Sequence, residues 1–318
     1  MTDRRSFLKG VGVAGGVAFT AGCIGSFGSQ PYGDGTLTFV MSPTEPQEYM
    51  ESQYAPVRDY LNEQTEDDVD VELQYANNYS AVLRALGEGN AEIAETGPFA
   101  AALGVRGDQC DVILQRFAYG SWDYHSVIVT NEDSDIEEPA DLEGGDIGFA
   151  ATTSASGSLY PLYMLKQAGL ETGDAPMGDE GADFNASWSG HAQAFEALQS
   201  GQVDAAGVGR FITWDYGNED YVEGVREVDS VSGIPRAPII VSPELDDEKR
   251  GMFTEAFLDA PDDMYFGKDG EEDGDDEENP DDLWFSDVRE ADVDTYQPVV
   301  DVANELGIES DLLDQGAE

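Results

Sequence analysis

Strand-like and helix-like segments alternate along the first part of this chain, and that alternation constrains the fold more than any other feature of the sequence. The strand patterns cover residues 36–41, 69–75, 91–94 and 112–119. The helix patterns cover residues 49–61, 81–86 and 99–103. A β-α-β-α-β-α-β order predicts a mostly parallel sheet with helices on both faces. Ligands of such sheets bind at the carboxyl ends of the strands.

The second part of the chain continues the pattern and suggests a second sheet. Strand patterns cover residues 124–130, 147–150, 203–208, 225–231 and 237–241, the last strands that we predict. Helix patterns cover residues 137–142, 191–200, 211–216, 245–258 and 299–306. We therefore predict an α/β protein of two lobes, each a mixed, mostly parallel sheet flanked by helices, with a ligand in the cleft between them. Residues 36–123 and 236–318 form lobe one, residues 124–235 form lobe two, and the two connections allow hinge closure.

A hydroxyl-rich turn lies between a strand and a helix in residues 148–169. Ser154 and Ser156 supply hydroxyl donors, Gly157 lets the backbone come close, and Pro161 suits an early helical position. The first N–H groups of a helix lack partners and carry a partial positive charge, so this turn suits an anion. An ordinary serine-capped helix accounts for the same residues, and the segment alone leaves both interpretations open.

The charge of the chain is extreme, with 67 acidic residues against 15 basic ones and a formal net charge of −52. Because 40% of the residues are hydrophobic, the acidity does not indicate disorder. It is typical of a halophile, since molar salt screens repulsion within about 3 Å and a carboxylate-rich surface stays soluble. Nucleic acid and anionic membrane surfaces are therefore poor partners for such a surface.

The N-terminus has the features of an export signal. Arg4 and Arg5 begin a twin-arginine-like motif, and the apolar run 11–21 is too short for a permanent membrane span. The sequence Thr-Ala-Gly before Cys23 resembles a lipobox, so we expect residues 1–22 to be removed and Cys23 to carry lipid. Residues 23–35 then tether the protein to the outer face of the cytoplasmic membrane. A plain cleaved signal with an incidental cysteine is the alternative.

Cysteine and histidine are too scarce for a metal centre or a disulfide framework. Besides Cys23 only Cys110 is present, and its apolar context predicts a buried structural thiol. No Cys/His cluster has zinc spacing, and we expect neither a metal nor a cofactor. The acidic insertion 268–282 is predicted to be a solvated loop; its carboxylates leave calcium as an alternative, without the regular spacing of a calcium loop.

Several short pieces occur in the order and spacing of one known family. They are Asn78-Tyr79, Gly97-Pro98, the run Tyr-His-Ser-Val-Ile-Val opened by Tyr124, the turn 154–157 with Pro161, and Ser189-Gly190-His191 followed by Gly201 and Asp204. Over residues 36–260 the chain resembles the substrate-binding lipoproteins of ABC importers for phosphonate, phosphite and phosphate. That resemblance implies the type II periplasmic-binding-protein fold, a small anionic ligand and a membrane permease as partner.

The resemblance also implies which residues hold the ligand. In this family hydroxyl-rich turns, helix N-terminal N–H groups, tyrosine hydroxyls and a histidine bind the oxyanion. Carried onto this chain, the ligand-binding residues are Tyr79, Tyr124, Thr153, Ser154, Ala155, Ser156, Gly157 and His191. Taken one at a time, the tyrosines are also typical of core aromatics and His191 of a structural imidazole.

One departure from the family pattern bears on the substrate. Members that take aminoalkylphosphonates place a carboxylate about twenty residues after the histidine, where this chain has Phe211 next to Arg210. An apolar or absent substituent is therefore favoured: phosphate, phosphite or a small alkylphosphonate. Trp122, Trp188 and Trp214 are near the same loops, and the sequence does not decide whether they line the cleft.

Other functional classes remain as alternatives. An enzyme is disfavoured because Ser154 has no recognisable base partner and no metal cluster exists. A binding protein of the same fold for a sulfonate, a thiamine precursor or an organic acid is a second interpretation. A sensory lipoprotein that presents its ligand to a membrane kinase is a third. We expect a monomer in each case.

Overall fold

The computed structural model of the chain describes residues 35–65, 69–215, 217–267 and 281–308. Within these ranges the strands form a six-stranded sheet, a five-stranded sheet and a two-stranded ribbon. The predicted signal, Cys23, almost all of the predicted tether and most of the acidic insertion lie outside the described residues, so what was predicted for them stays a prediction.

The six-stranded sheet combines strands from both ends of the chain. In spatial order they are β13 (Asp287–Glu290), β4 (Asp111–Phe117), β12 (Pro238–Val241), β3 (Ile93–Glu95), β1 (Thr36–Met41) and β2 (Asp70–Tyr75). β1 runs parallel to β2 and β3. β12 runs antiparallel to β3 and β4, and β13 runs antiparallel to β4, so the sheet is mixed.

Both faces of this sheet are covered, as the near-continuous apolar sequence of its central strands requires. Alternate residues of β1 point to opposite faces: Phe39 joins the cluster that holds Met50 and Phe253, whereas Val40 joins the cluster of Leu83 and Phe99. The first cluster belongs to α1 (Gln47–Gln53), α2 (Ala55–Gln64), α7 (Asp247–Leu258) and α8 (Asp262–Tyr265). The second belongs to α3 (Tyr79–Gly87), α4 (Pro98–Arg106) and α9 (Gln297–Leu306).

The five-stranded sheet is built from the middle of the chain. Its order is β11 (Val225–Pro235), β5 (Asp123–Asn131), β8 (Ala205–Gly209), β6 (Asp146–Phe149) and β7 (Asn185–Trp188). β6, β7 and β8 are parallel, and β5 is antiparallel to both of its neighbours. Ile128 packs with α5 (Tyr160–Gln167) on one face, and Val127 and Val129 pack with α6 (His191–Gln199) on the other.

The chain passes from one sheet to the other between β4 and β5 and returns between β11 and β12. α9 also bridges the two sheets by packing, because it contacts α4 of the first sheet and α5 of the second. Lys166 of α5 donates from Nζ to the backbone carbonyl of Glu305 in α9, at 2.7 Å. The two sheets therefore meet along helices as well as through their connecting strands.

The predicted elements are confirmed for most of the chain, but the helix predicted for residues 211–216 is wrong. A single 3-10 turn, Arg210–Ile212, is followed by a ribbon of β9 (Trp214–Asp215) and β10 (Asp220–Tyr221). Asp215 Oδ1 accepts hydrogen bonds from the backbone N–H groups of Gly217 and Asn218, at 2.9 and 3.2 Å. This aspartate turn outcompetes the helix.

Two further predictions need correction. The helix predicted for residues 49–61 is interrupted at Tyr54, and Pro56 stands in the first turn of α2, where its missing N–H costs nothing. The strand 237–241 is not the last strand, since β13 follows it and pairs with β4 at the edge of the sheet. Only one of the four residues of β13 is buried, so it carries almost no apolar pattern.

Candidate functional site

A cavity of about 580 Å³ lies between the two sheets. Its walls come from α1, from the loops at the carboxyl ends of β1, β3 and β6, from the start of α6 and from both connections between the sheets. The described residues that line it are Thr44, Glu45, Pro46, Tyr49, Gln53, Tyr79, Thr96, Gly97, Pro98, Arg116, Tyr119, Tyr124, Ser154, Ala155, Ser156, His191, Phe211, Ile212, Arg236, Ala237 and Trp284. Of the eight predicted ligand residues, six are in this set.

The hydroxyl-rich turn after β6 forms one wall of the cavity. It is a π-helical turn, Ala155–Leu159, that precedes α5, rather than the first turn of the α-helix itself. Ser154 caps it: its Oγ accepts the N–H of Gly157 at 3.1 Å. The carbonyl of Ser156 accepts from Ser126 Oγ of β5 at 2.7 Å, which fixes the turn to the sheet. π-helical turns inside helices are frequent at functional sites.

His191 pairs with Ser154, which corrects the prediction that this serine has no partner. Nε2 of His191 lies 3.2 Å from Ser154 Oγ, and Nδ1 accepts the backbone N–H of Gly209 at 3.1 Å. Because Nδ1 is an acceptor, the neutral ring carries its hydrogen on Nε2 and donates it to Ser154. Burial lowers the pKa of His191 to about 4, so the ring is neutral at pH 7.

The hydroxyl hydrogen of Ser154 is consequently directed outward. Its oxygen already accepts one hydrogen from Gly157 and one from His191. A hydroxyl has two acceptor positions and one donor, so only the donor remains for a group in the cavity. His191 thus helps to set the direction in which Ser154 donates.

Two tyrosines contribute further hydroxyl donors. Tyr79 opens α3, whose N-cap Asn78 accepts the N–H of Ala81 at 2.8 Å. Burial, together with the charge of Glu95, raises the pKa of Tyr79 far above its usual value. Burial raises the pKa of Tyr124 to about 12, although hydrogen bonding to Ser156 and the charge of Arg236 oppose the rise. Both phenols therefore keep their hydrogens at neutral pH.

Two of the predicted residues lie behind the cavity surface. Thr153 is buried but is not part of the lining. The N–H of Gly157 is used by Ser154, and a Cβ at position 157 would lie 2.7 Å from Cε1 of His191 and would overlap Ala150. Gly157 is therefore required for the close approach of the turn to His191.

Aromatic residues close the cavity on the side of α6 and the ribbon. Phe211 lines it, with its ring centroid 5.1 Å from that of His191 and 6.4 Å from that of Tyr124. None of the three tryptophans left open by the sequence is among the described lining residues; Trp284 is. Trp188, for example, stacks on Phe149 at 5.6 Å and donates to Ser158 Oγ.

The wall from the six-stranded sheet contains residues that the sequence did not single out: Gln53, Thr96, Arg116 and Trp284. Arg116 is buried and lies 2.9 Å from Oε2 of the buried Glu95. Its guanidinium also donates to Tyr54 Oη at 3.0 Å, to Thr96 O at 3.2 Å and to Ala237 O at 3.1 Å. An arginine and a glutamate within otherwise apolar strands were the only signal of this network in the sequence.

The family model described as "ABC transporter, phosphonate, periplasmic substrate-binding protein" matches residues 39–296. The chain belongs to this family. The fold of the family is the one that the sequence predicted, and the family is one of solute-binding proteins that work outside the cytoplasm. Within the described residues, no helix of this binding protein is long and apolar enough to cross a membrane, and no group of side chains is placed to hold a metal ion.

Individual relatives agree with the family. The binding protein is 30% identical over 179 residues to the "Phosphate-import protein PhnD" of Mycolicibacterium smegmatis, and the alignment spans 54% of each chain. It thus matches about half the length of this curated relative.

Two solved structures have the same fold. One is a binding protein component of an ABC phosphonate transporter from Pseudomonas aeruginosa, with a TM-score of 0.66, 20% identity and 86% of each chain covered. The other is PhnD1 from Prochlorococcus marinus in complex with methylphosphonate, with a TM-score of 0.65, 18% identity and coverage of 86% and 98% of the two chains. At these identities the likeness concerns the fold.

Proposed function

We propose that this protein binds a small phosphorus oxyanion, namely phosphate, phosphite or an alkylphosphonate, and delivers it to an ABC permease in the membrane. The observation that carries the proposal is the donor set of the cavity. Ser154 has only its hydrogen to offer, and Tyr79 and Tyr124 stay protonated. Glu45, which is exposed, is the single carboxylate among the described lining residues. Donors without opposing carboxylates suit a multiply charged oxyanion.

The relatives support phosphorus as the central atom. The relative from Mycolicibacterium smegmatis is named for phosphate import, and the structure from Prochlorococcus marinus holds methylphosphonate. The ligand-binding residues that we propose are Tyr79, Tyr124, Ser154, Ala155, Ser156 and His191 at the cavity surface, with Thr153 and Gly157 behind it. Phe211 offers no charge to an ammonium group, which favours ligands without one.

The arrangement of His191 argues against catalysis by the Ser154–His191 pair. A general base must accept the serine hydrogen at its free nitrogen, and the base of a triad donates from the other nitrogen to a carboxylate. Here the ring accepts an N–H at Nδ1 and presents a hydrogen to the serine, which is the opposite tautomer. We propose that the pair orients a donor and has no part in hydrolysis.

The remaining predictions about the whole protein are part of the same proposal. Residues 36–123 with 236–318 form one lobe and residues 124–235 the other, in keeping with the strand membership of the two sheets. The protein is exported by the twin-arginine route and is anchored through Cys23 to the outer face of the cytoplasmic membrane as a monomer. Its acidic surface and its ligand both exclude nucleic acid as a partner.

Calorimetric titration and thermal shift in molar KCl test the ligand class. We expect phosphate, phosphite or methylphosphonate to bind and to raise the melting temperature, whereas sulfate, taurine and pyrimidines do not. Hydrogen bonds to a charged ligand contribute about 1.5–3 kcal/mol each, so Ser154→Ala and Tyr124→Phe should each weaken binding by about ten- to a hundredfold. Ser200→Ala is the matched control, because this exposed serine at the end of α6 is absent from the cavity lining.

The other outcomes separate the alternatives. A shift with sulfonates, pyrimidines or organic acids alone would show a binding protein of the same fold for another ligand. Binding of the expected ligand without a change in transport by a reconstituted permease would favour the sensory role. Unchanged affinity in Ser154→Ala and Tyr124→Phe would exclude both hydroxyls from the ligand site.

A further inference from the structure

The cavity has more room than an inorganic oxyanion fills. Its volume of about 580 Å³ falls in the range of about 300–1,000 Å³ that is usual for clefts that enclose drug-sized ligands. Most of the proposed oxyanion donors belong to the wall formed by the turn 154–156 and by Tyr124, whereas Tyr79 reaches the cavity from α3 on the side of the six-stranded sheet. Space on the opposite wall, against the six-stranded sheet, is therefore available to whatever the phosphorus atom carries.

Three polar atoms on that wall are buried without a hydrogen-bond partner in the described chain: the indole Nε1 of Trp284 and two side-chain oxygens. Gln53 is 2% exposed and Thr96 is 0% exposed, and both line the cavity. Oε1 of Gln53 and Oγ1 of Thr96 have no hydrogen-bond partner within the described chain. Burying a polar atom without a partner is costly, and such atoms in native proteins mark a place where another molecule completes the bonding.

Arg116 links the two segments that carry these oxygens. Its guanidinium donates to the backbone carbonyl of Thr96 at 3.2 Å and to the hydroxyl of Tyr54, the residue after Gln53, at 3.0 Å. Glu95 forms an ion pair with the arginine, with Oε2 2.9 Å from Nη2 of Arg116. Its other oxygen accepts hydrogen bonds from the backbone N–H and the hydroxyl of Ser42. The indole of Trp284 lies on the guanidinium, with its ring centroid 4.3 Å from Cζ.

The chemistry of this wall selects the group that it accepts. An ammonium would meet the guanidinium of Arg116, and the sole described carboxylate of the lining, Glu45, is exposed. A carboxylate would point its lone pairs at the amide oxygen of Gln53. A neutral hydroxyl suits both kinds of orphaned atom, because it can donate to Gln53 Oε1 and accept from the hydroxyl of Thr96 or the indole N–H of Trp284.

We propose that Gln53 and Thr96 form a subsite for a hydroxyl group on the substituent of an organic phosphonate. The inference rests on the proposed function, since the phosphonate group itself occupies the donors of the turn and the tyrosines. It extends that function from inorganic ions and simple alkylphosphonates to hydroxyalkylphosphonates as a substrate class. Phe211 and Trp284 then flank the carbon chain.

Titration with three phosphonates tests the subsite: methylphosphonate, ethylphosphonate and 2-hydroxyethylphosphonate, each in molar KCl. The wild-type protein should bind the hydroxyethyl compound about tenfold more tightly than the ethyl compound, as expected for completing a buried hydrogen bond. Gln53→Met and Thr96→Val remove one orphaned atom each while keeping the shape. Both variants should abolish the preference and leave the affinity for methylphosphonate unchanged.

Stability measurements on the same variants separate a subsite from a structural role. Since the hydroxyl of Thr96 has no partner, Thr96→Val should leave the melting temperature of the ligand-free protein unchanged or raise it. Thr130→Val is the matched control: this buried hydroxyl donates to Asp204 O at 2.8 Å, so its loss should lower the melting temperature and leave the ligand preference intact.

Three results would overturn the subsite. Equal affinity of the wild-type protein for the ethyl and hydroxyethyl compounds would contradict it while the proposed function stands. If Gln53→Met lowered the affinity for methylphosphonate as much as the affinity for the hydroxyethyl compound, Gln53 would be assigned to the phosphonate group itself. Failure of all three phosphonates to bind would overturn the subsite, and failure of phosphate and phosphite as well would overturn the proposed function with it.

Discussion

His191 links two parts of the chain through one neutral ring. Its Nδ1 accepts the N–H of Gly209 at the end of β8, and its Nε2–H is directed at Ser154 in the turn after β6. Protonation would place a second hydrogen on Nδ1, against the N–H of Gly209. The lowered pKa of His191 follows from burial, and this contact opposes protonation further.

This geometry predicts how stability depends on pH. An unfolded chain takes up a proton on this histidine near its ordinary pKa of about 6.5, whereas the folded chain resists it down to about 4. Between these values the unfolded state binds more protons, so stability falls as the pH falls. His191→Asn keeps an acceptor for Gly209 but does not titrate. Denaturant unfolding between pH 7 and 4.5 should show the steeper loss in the wild-type protein, and parallel curves would contradict the assignment.

At this scale the sequence predicted the surface of the site only in part. The serines of the turn and the two tyrosines were found because they are donors in family order. Gln53, Thr96 and Arg116 were not, because nothing local marks them: they come from a helix, a strand end and another strand, and only the tertiary fold places them on one wall. The pairing of Ser154 with His191, 37 residues away, likewise depends on the neighbouring positions of β6 and β7, because Ser154 follows the first strand and His191 follows the second.

The π-helical turn between β6 and α5 is the element on which the site depends. It brings Ser154 and Ser156 to the cavity and packs Gly157 against the Cβ of Ala150 and the ring of His191. At position 157 the backbone of the turn lies so close to Ala150 and His191 that there is no room for a side chain. Its geometry is set by packing against β5 and His191, and the local sequence gives only a helix cap.

A pair of glycine substitutions tests that dependence. Gly157→Ala forces a Cβ into contact with Ala150 and His191, so it should destabilise the protein by about 1–3 kcal/mol and abolish ligand binding. Gly251→Ala is the control, since this glycine is inside α7 with nothing within 4 Å of the added Cβ, and should stabilise by about 0.5–1 kcal/mol. Urea unfolding and calorimetry measure both. A tolerated alanine at position 157 would mean that the turn adapts freely.

Elements with strong apolar patterns were predictable, and elements set by short-range polar chemistry or by an edge position were not. β1, β5 and α3 occupy the segments whose periodicity predicted them. The ribbon after Arg210 depends on the turn around Asp215, and β13 is an edge strand with an exposed, charged sequence. Neither has the buried face from which periodicity arises.

At the scale of the whole molecule, the distribution of charge is uneven. The chain has a net charge of −52 and 15 basic residues, yet Arg116 and Arg236 line the cavity and Arg210 lies beside it. Arg116 is compensated by Glu95. An incoming anion is therefore repelled at long range and attracted only near the cavity. The balance between the two depends on how far the electrostatic field of the surface charges extends into solution.

Salt should consequently act on this protein in the opposite direction from most anion-binding proteins. At about 0.1 M salt the screening length is about 10 Å, whereas at about 1 M it is about 3 Å, so added salt removes the long-range repulsion and spares the short-range donors. We expect the melting temperature and the association rate of methylphosphonate to rise together between these concentrations, measured by calorimetry and stopped-flow fluorescence. Sucrose, which is excluded from protein surfaces but does not screen, is the control: it should raise the melting temperature without changing the rate beyond its viscosity effect. An association rate that falls with salt would mean that the arginines near the cavity outweigh the acidic surface.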